Sequence, residues 1–404
     1  MTRGTTAGHP TGDRPPDRAR ARDIGVAPGR LPTGPANAIT DVPGIRVGHA
    51  TVIEGAGIRT GVTAVVHDDL LPPGAQDHGR HVPSTGTLAA GLSVFNGFGK
   101  MVGSTQVAEL GTIETPVLLT ATLSVFRVAD ALLSYLRDLS YLEEGQGGEP
   151  PGTLNPIVAE TNDGYLSDTW ARPVTAEHVR TALDTAAGGS VAEGCVGAGT
   201  GTSALGFKAG IGTSSRIVNW ASGPVRLGVL VQANFSGEFT VLGVPVPATD
   251  KELAPGPHDH GNSCVLVLAT DAVLDSRQLE RVANRAFAGM ARVGSDFSGN
   301  SGDYALAIST ARRAAAAGRA PAEGETPVAE PGAAAPGAVA AAAGYPVPAK
   351  DLDLLFQAAI EATEEAILNS LFMAVTTTGF RGHIRHAVSL DEVVARVGGR
   401  LTTA

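Results

Sequence analysis

Residues 255–268 read PGPHDHGNSCVLVL, a polar segment rich in turn-forming residues that runs directly into an apolar one. The glycines and prolines of the first half favour a loop. The second half has the length and the branched side chains of a buried strand. The pattern therefore predicts a loop that ends at Asn262 and a core strand whose first residue, Ser263, carries a hydroxyl group.

Cleavage of the Asn262–Ser263 bond would make Ser263 an N-terminal residue with a hydroxyl and an α-amine side by side. A free α-amine has a pKa of about 7.7–8.0, close to what a general base needs at neutral pH. Pairing a hydroxyl with such an amine activates a weak nucleophile. On residue type alone a serine at a turn is more often structural, because its hydroxyl satisfies backbone groups.

The composition is that of a globular protein with ample length for a large core. The chain has 404 residues, of which 43% are hydrophobic and 17% charged, and its net charge is −10. The negative charge argues against a nucleic-acid partner. No apolar stretch reaches the roughly 18 residues of a membrane span, so we expect a cytoplasmic protein without a membrane partner. The two cysteines, Cys195 and Cys264, are too few for a disulfide framework.

Two apparent ligand motifs do not hold up, and we expect neither a metal nor another cofactor. Residues 201–208, GTSALGFK, have the spacing of a phosphate-binding loop, but Phe207 separates the last glycine from Lys208 and no Ser or Thr follows. His258 and His260 flank an aspartate, yet no complementary ligand cluster accompanies them. We interpret them as part of a solvated loop.

The chain is predicted to fold as one domain, residues 23–404, which follows one segment of unusual composition and contains another. Residues 1–22 are rich in Arg, Pro, Gly and Thr and are predicted to be a disordered leader. Residues 312–350 are dominated by Ala, Pro and Gly and are predicted to be a flexible insert. Residues 352–372 follow as the clearest amphipathic helix, and Thr175 is the predicted N-cap of a shorter one.

A series of ordered motifs runs from about residue 22 to the C-terminus, outside the insert. The motifs are GPANAITDVPGIRVGH at 34–49, FNGFG at 95–99, PVLLT at 116–120, ETNDG at 160–164, GAGTG at 197–201, FKAGIGTSSR at 207–216, QANF at 232–235 and SGDY at 301–304. Together they resemble the DmpA-type aminopeptidases. This family, also called P1 or S58, includes L-aminopeptidase/D-esterase and the β-aminopeptidases.

The resemblance implies an α/β fold, the four-layer α/β/β/α sandwich shared with ornithine acetyltransferase. It also implies self-cleavage into residues 23–262 and 263–404, followed by hydrolysis of amide or ester bonds through an acyl-enzyme on Ser263. The expected substrates are small peptides, amino-acid amides or esters with a free amino end. The implied assembly is a homo-oligomer, a tetramer of cleaved heterodimers.

The resemblance also assigns roles to individual residues. Ser263 matches the nucleophile, Ser301 and Asp303 the downstream Ser-Gly-acid motif, and Asn234 the amide that stabilises the oxyanion. Glu160 matches the position proposed to hold the substrate's ammonium, although a structural pairing with Arg216 is an alternative. The predicted substrate-binding residues further include Asn162 and Tyr165.

Three departures from the family pattern and two rival functions stay open at this level. Asp303 is shorter than the glutamate that the family also carries, Asn162 stands where relatives can have an aromatic residue, and Lys100 stands where glutamate is common. An amidase for non-peptide oligoamides, like the nylon-oligomer hydrolases, is the first rival, although those enzymes use threonine. The threonine motif of ornithine acetyltransferase is absent. An uncleaved, inactive binding homologue is the rival from a different class.

Overall fold

The computed structural model describes residues 17–71, 86–142, 153–220, 223–248, 262–311 and 351–401. Within these ranges the chain forms seventeen strands and six α-helices. The strands are β1 Arg46–Glu54, β2 Ile58–Val66, β3 Leu88–Gly97, β4 Met101–Val102, β5 Thr112–Ile113, β6 Val117–Ala121, β7 Ile157–Thr161, β8 Ser203–Ala204, β9 Phe207–Lys208, β10 Ile211–Trp220, β11 Gly223–Asn234, β12 Thr240–Val241, β13 Val244–Pro245, β14 Ser263–Thr270, β15 Gly302–Ser309, β16 Thr377–Thr378 and β17 Ile384–Arg385. The helices are α1 Ser104–Leu110, α2 Val125–Leu142, α3 Ala176–Asp184, α4 Ser276–Arg292, α5 Asp353–Phe372 and α6 Leu390–Val397.

Two large sheets form the centre of the molecule. The first has the strand order β1-β2-β6-β7-β4 and the second the order β10-β11-β14-β15-β3-β5. Side chains of a strand alternate between its two faces, and β14 shows this clearly: Val265 and Val267 pack between the sheets, whereas Cys264 and Leu266 pack against the helices on the other side.

Helices cover the outer face of each sheet. α2 and α3 pack on the first sheet, and α4 and α5 pack on the second. The order of layers is therefore α/β/β/α, and the predicted four-layer sandwich is confirmed. None of the helices in the described ranges is both long enough and apolar enough to cross a bilayer.

The local signals in the sequence locate several elements correctly. β14 begins at Ser263, as predicted. Thr175 is the N-cap of α3. These predictions succeeded because caps, apolar runs and turn residues act within a few positions of the chain.

The prediction of an amphipathic helix near the C-terminus was wrong in one respect. α5 forms, but its polar side is buried as well, including Glu361, Glu365 and Asn369. The N-terminal segment covers that side: Arg22 pairs with Glu365 at 2.9 Å, and the N–H of Ala21 donates to Oδ1 of Asn369 at 2.9 Å.

The prediction of a disordered leader was wrong for residues 17–22, because these residues pack against the rest of the protein. Arg18 donates to the carbonyls of Leu371, Phe372 and Val388, and Arg20 pairs with Glu193 at 2.7 Å. An arginine-rich composition favours disorder only where the charges lack partners, and here buried carboxylates and backbone carbonyls supply them. Residues 1–16 and the predicted insert, 312–350, lie outside the described residues.

Candidate active site

Ser263 stands at the first position of β14, at the edge of the layer between the two sheets. It pairs with Asn234 of β11 on one side and with Gly302 of β15 on the other. Its side chain is 2% exposed, and its Oγ accepts a hydrogen bond of 3.1 Å from the backbone N–H of Asn162, just after β7 in the opposite sheet. The hydroxyl is thus held at the junction of the two sheets.

Gly302 shows why this junction is narrow. A Cβ at this position would lie 2.9 Å from the Cα of Gly99 and 3.0 Å from the carbonyl oxygen of Phe98. A side chain larger than hydrogen would therefore push away the segment that follows β3. The glycine of the Ser-Gly-acid motif lets this segment approach Ser263.

Asn234 lies directly across the strand pair from Ser263, so both side chains are on the same face of the sheet. The Oδ1 of Asn234 accepts a hydrogen bond of 3.1 Å from the N–H of Ser203. This bond fixes the orientation of the carboxamide and therefore the direction of its N–H₂ donors. Lys208 in turn holds the segment before Ser203, because its Nζ donates to the carbonyls of Thr202 and Gly199 at 2.8 and 3.1 Å.

Ser301 and Asp303 form a buried pair next to the nucleophile. The hydroxyl of Ser301 donates to Oδ1 of Asp303 at 2.7 Å, and Nδ2 of Asn96 donates to Oδ2 at 2.8 Å. Asp303 pairs in register with Cys264, so its side chain belongs to the face of the sheet opposite to that of the Ser263 side chain. Burial raises the pKa of Asp303, and the bonds from Ser301 and Asn96 offset part of that shift.

A β-bulge brings Asn96 to this pair. Between β3 and β15 the register shifts, so that Asp303 faces Asn96 while Tyr304 faces Val94, and Phe95 is the extra residue. Bulges of this kind redirect a side chain next to an active site. In the sequence Asn96 stands out only as part of a motif. Its contact with Asp303 depends on the bulge, which the sequence does not predict.

A cavity of about 260 Å³ opens in front of Ser263. Its lining residues come from both sheets and from the loops that join them: Phe98, Lys100, Thr122, Leu123, Glu160, Asn162, Thr169, Trp170, Asn262, Ser263 and Asn300. Ser263, Glu160 and Asn162 therefore share one cavity. The ring of Trp170, 81% exposed, and that of Phe98, 74% exposed, lie at its mouth.

Glu160 provides the buried negative charge of this cavity. Its side chain is 3% exposed, and its Oε1 accepts a hydrogen bond of 3.1 Å from the backbone N–H of Lys100. Its Oε2 is buried and has no hydrogen-bond partner among the described residues. Burial raises the pKa of Glu160, and the nearby Lys100 ammonium opposes this shift. A carboxylate oxygen of this kind is ready to accept from a ligand.

The structure contradicts one alternative and one expectation about neighbouring residues. Arg216 does not pair with Glu160; it pairs with Glu365 at 2.7 Å and with Glu361 at 3.3 Å, because β10 carries it to the helix side of the second sheet. Tyr165 does not line the cavity. The chain turns after β7, and the tyrosine ring stacks on His383 with a centroid distance of 4.4 Å.

Comparison with known proteins supports the resemblance found in the sequence. The family model described as peptidase family S58 matches residues 37–385. A β-peptidyl aminopeptidase, BapA, from Sphingosinicella microcystinivorans is 37% identical over 393 residues, covering 90% of this chain and 88% of the relative.

Two solved structures share the fold over nearly the whole chain. A β-aminopeptidase from Burkholderia sp. has a TM-score of 0.76 and 36% identity, and the match covers 96% of this chain and 100% of the other. The L-aminopeptidase D-Ala-esterase/amidase from Ochrobactrum anthropi, described as a prototype of the serine aminopeptidases and a variant of the Ntn hydrolase fold, has a TM-score of 0.77 and 34% identity, over 95% and 99% of the two chains. The resemblance to the DmpA-type enzymes is thereby confirmed, and the chain is a hydrolase that belongs to peptidase family S58.

Proposed function

We propose that this protein is a self-processing serine aminopeptidase or amidase that acts on small substrates with a free amino end. The observation that carries the proposal is the shared cavity of Ser263 and Glu160. It puts a hydroxyl nucleophile in front of one bound molecule together with a carboxylate oxygen that has no hydrogen-bond partner among the described residues. Relatives with 34–37% identity are described as aminopeptidases or amidases. At about 260 Å³ the cavity is smaller than the roughly 300–1,000 Å³ of drug-sized ligand sites.

The first reaction in this proposal is cleavage of the chain before Ser263. The Oγ of Ser263 attacks the carbonyl carbon of Asn262, the C–N bond breaks, and the proton of the hydroxyl passes to the departing amine. Water then hydrolyses the resulting ester. The side chain of Asn262 is held for this step by a hydrogen bond of 2.7 Å from its Nδ2 to Oγ of Ser236.

The second reaction repeats this chemistry on a substrate. The new α-amine takes the proton of the Ser263 hydroxyl, and Oγ attacks the amide or ester carbon. The amide donors of Asn234 stabilise the negative oxygen of the tetrahedral intermediate, a role worth roughly 2.7–4 kcal/mol in a comparable protease site. The intermediate expels the amine or alcohol with that proton, and water hydrolyses the acyl-enzyme.

Glu160 would hold the substrate's ammonium while these bonds change. A buried carboxylate without a full set of donors is costly, and a ligand ammonium supplies both the opposite charge and the missing hydrogen bond. Asn162 would contribute through its backbone N–H, which already contacts Ser263.

Intact mass and activity test the proposal together. Purified wild-type protein should consist of two fragments divided between Asn262 and Ser263, and it should hydrolyse aminoacyl p-nitroanilides. Ser263→Ala should stay full length and inactive. Ser309→Ala is the matched control, because it removes a buried hydroxyl that bonds to the carbonyl of Ala272 at the far end of β15; it should process and react normally. Cleavage at the same bond in Ser263→Ala would refute the proposal, and an intact, inactive wild type would favour a binding homologue.

The proposal extends to assembly and location. We expect a cytoplasmic homo-oligomer of cleaved heterodimers, a tetramer by family resemblance. Native mass spectrometry of the processed protein would test the stoichiometry, and a mass equal to one pair of fragments would contradict it.

A further inference from the structure

The cavity contains a cation as well as an anion. Lys100 lines it directly, and its Nζ donates to Oγ1 of Thr122 at 2.7 Å. The same Nζ lies 3.7 Å from Oε1 of Glu160. The lysine side chain is 37% exposed and the glutamate side chain 3% exposed. An entering molecule therefore meets the ammonium first and the carboxylate behind it.

These two groups are the charged members of the described lining. A substrate ammonium on its way to Glu160 passes the like charge of Lys100, which repels it in a partly desolvated site. A substrate that carries a carboxylate close to its ammonium meets the opposite situation, because each of its charges finds a partner. The arrangement favours a molecule with both charges at one end.

Lys100 has donor capacity left for such a molecule. An ammonium group has three N–H donors, and within the described residues one of them is used by Thr122. The separation of 3.7 Å from Glu160 exceeds a normal hydrogen bond. Oε1 of Glu160 also receives a bond from the backbone N–H of Lys100, and it keeps that bond when the side-chain ammonium turns to a ligand.

We propose that Lys100 makes this cavity selective for an acidic N-terminal residue, an aspartyl or glutamyl group whose free amine binds Oε2 of Glu160 and whose carboxylate binds Nζ of Lys100. The inference rests on the proposed function, because it assumes that Glu160 takes the amine. The closeness of Lys100 and Glu160 requires both charges on one substrate residue. A residue linked through its side chain also qualifies, since its amine and carboxylate share one carbon atom.

Hydrolysis of a panel of p-nitroanilides by the processed wild type tests this selectivity. The panel contains alanyl, β-alanyl, lysyl, α-aspartyl and β-aspartyl compounds. A charge-assisted hydrogen bond to the carboxylate should raise kcat/KM for at least one aspartyl compound about tenfold or more over its neutral counterpart. Comparison of the two aspartyl compounds shows whether an α-linkage or a β-linkage places the substrate carboxylate at Lys100.

Two variants and a control assign the selectivity to the lysine. In Lys100→Met the ratio of acidic to neutral kcat/KM should fall about tenfold, and in Lys100→Glu the preference should shift towards the lysyl compound. Arg180→Gln is the control. It removes a positive charge on the surface of α3 that pairs with Asp138 of α2, and it should leave the ratio unchanged.

Each result bears on a different claim. Equal rates for acidic and neutral compounds in the wild type would overturn the inference while leaving the aminopeptidase proposal intact. An acidic preference that survives in Lys100→Met would also overturn it, since the lysine would then only neutralise Glu160. Failure of the processed wild type to hydrolyse every free-amine compound would overturn the proposed function and the inference with it.

Discussion

Ser301 donates its hydroxyl hydrogen to Oδ1 of Asp303 across 2.7 Å, in a pair whose members are 1% and 0% exposed. Asn96 binds the second carboxylate oxygen at 2.8 Å, so the carboxylate has a single orientation. Ser301 directly precedes Gly302, the partner of Ser263 in the sheet. The pair therefore fixes an acidic group beside the backbone of the proposed nucleophile, where a new α-amine would appear.

We expect Asp303→Asn to lower kcat of the processed enzyme on the order of 10²-fold with a smaller change in KM, because it disturbs proton transfer and not ground-state binding. Ser301→Ala should do the same, and the double variant should be little worse than either single one, since the two groups act as a unit. Tyr135→Phe is the control; it removes a hydroxyl–carboxylate bond of the same 2.7 Å length, to Asp184, between the outer helices. An unchanged kcat and pH profile in Asp303→Asn would exclude Asp303 from the reaction.

Glu160→Gln should selectively impair substrates with a free amine. Truncating one partner of a buried charge pair costs about 2–5 kcal/mol, so kcat/KM for aminoacyl amides should fall by at least tenfold. N-acetylated analogues, where they react, should be little affected. Because burial raises the pKa of Glu160, its charge is unfavourable in the fold, and the variant should not melt earlier than wild type. Glu364→Gln, which removes a buried carboxylate that pairs with Arg292, is the control.

A different result would show that Glu160 stabilises the fold and does not bind the substrate's amine. If Glu160→Gln lowered the melting temperature and reduced the rates of free-amine and N-acetylated substrates equally, its role would be structural. Glu364→Gln shows how much of either effect any buried glutamate produces.

The sequence predicts the site better than it predicts the contacts around it. The strand that starts at Ser263 follows from an apolar run beside a turn, and both signals lie within ten residues. The shared location of Ser263 and Glu160 came from the order of the family motifs, because the two residues lie in different sheets and no local pattern relates them. Asn96 was missed because its contact with Asp303 depends on a bulge that inserts Phe95.

The errors share a physical cause, which is distance along the chain. Residues 17–22 have the composition of a disordered leader, but Arg22 pairs with Glu365, which lies 343 positions further along the chain. Tyr165 is five residues from Glu160 in sequence, and the turn after β7 still separates the two. Composition describes what a segment does alone, whereas long-range partners decide whether it packs.

Lys208→Met should reduce both stability and kcat. The Lys208 side chain is fully buried, and its Nζ donates to the carbonyls of Gly199, Thr202 and Ala209. Unpaired buried carbonyls cost about 1–3 kcal/mol each, so the melting temperature should fall. The loop to Ser203 would also lose its anchor, and the Asn234 amide would lose its fixed direction, which lowers kcat more than it raises KM.

A core variant separates these two effects. Val282→Ala on α4 destabilises the packing against the second sheet, away from the loop that Lys208 holds, and should lower the melting temperature with kcat preserved. If Lys208→Met and Val282→Ala lowered kcat to the same small degree at matched stability, Lys208 would be structural and not a positioning residue for Asn234.

Asp163 should make the protein less stable as the pH rises towards 7. Burial raises the pKa of this carboxyl from 3.8 to about 7, with a further contribution from Glu160, while Thr60 and Lys208 oppose the change. Between those two values the folded state holds a proton that the unfolded state has released, so unfolding becomes easier as the pH increases. The free energy of unfolding falls by up to about 1.4 kcal/mol for each pH unit in this range. The cost is complete above pH 7 and absent below about 4.

Asp163→Asn removes the charge, so its melting temperature relative to wild type should increase between pH 5 and pH 8. Contributions from buried acids that do not interact with Asp163, such as Glu193, cancel in this difference. Asp130→Asn, which removes a carboxylate exposed on α2, is the control. A difference between Asp163→Asn and wild type that is the same at both pH values would show that Asp163 is already ionised in the folded protein at pH 5.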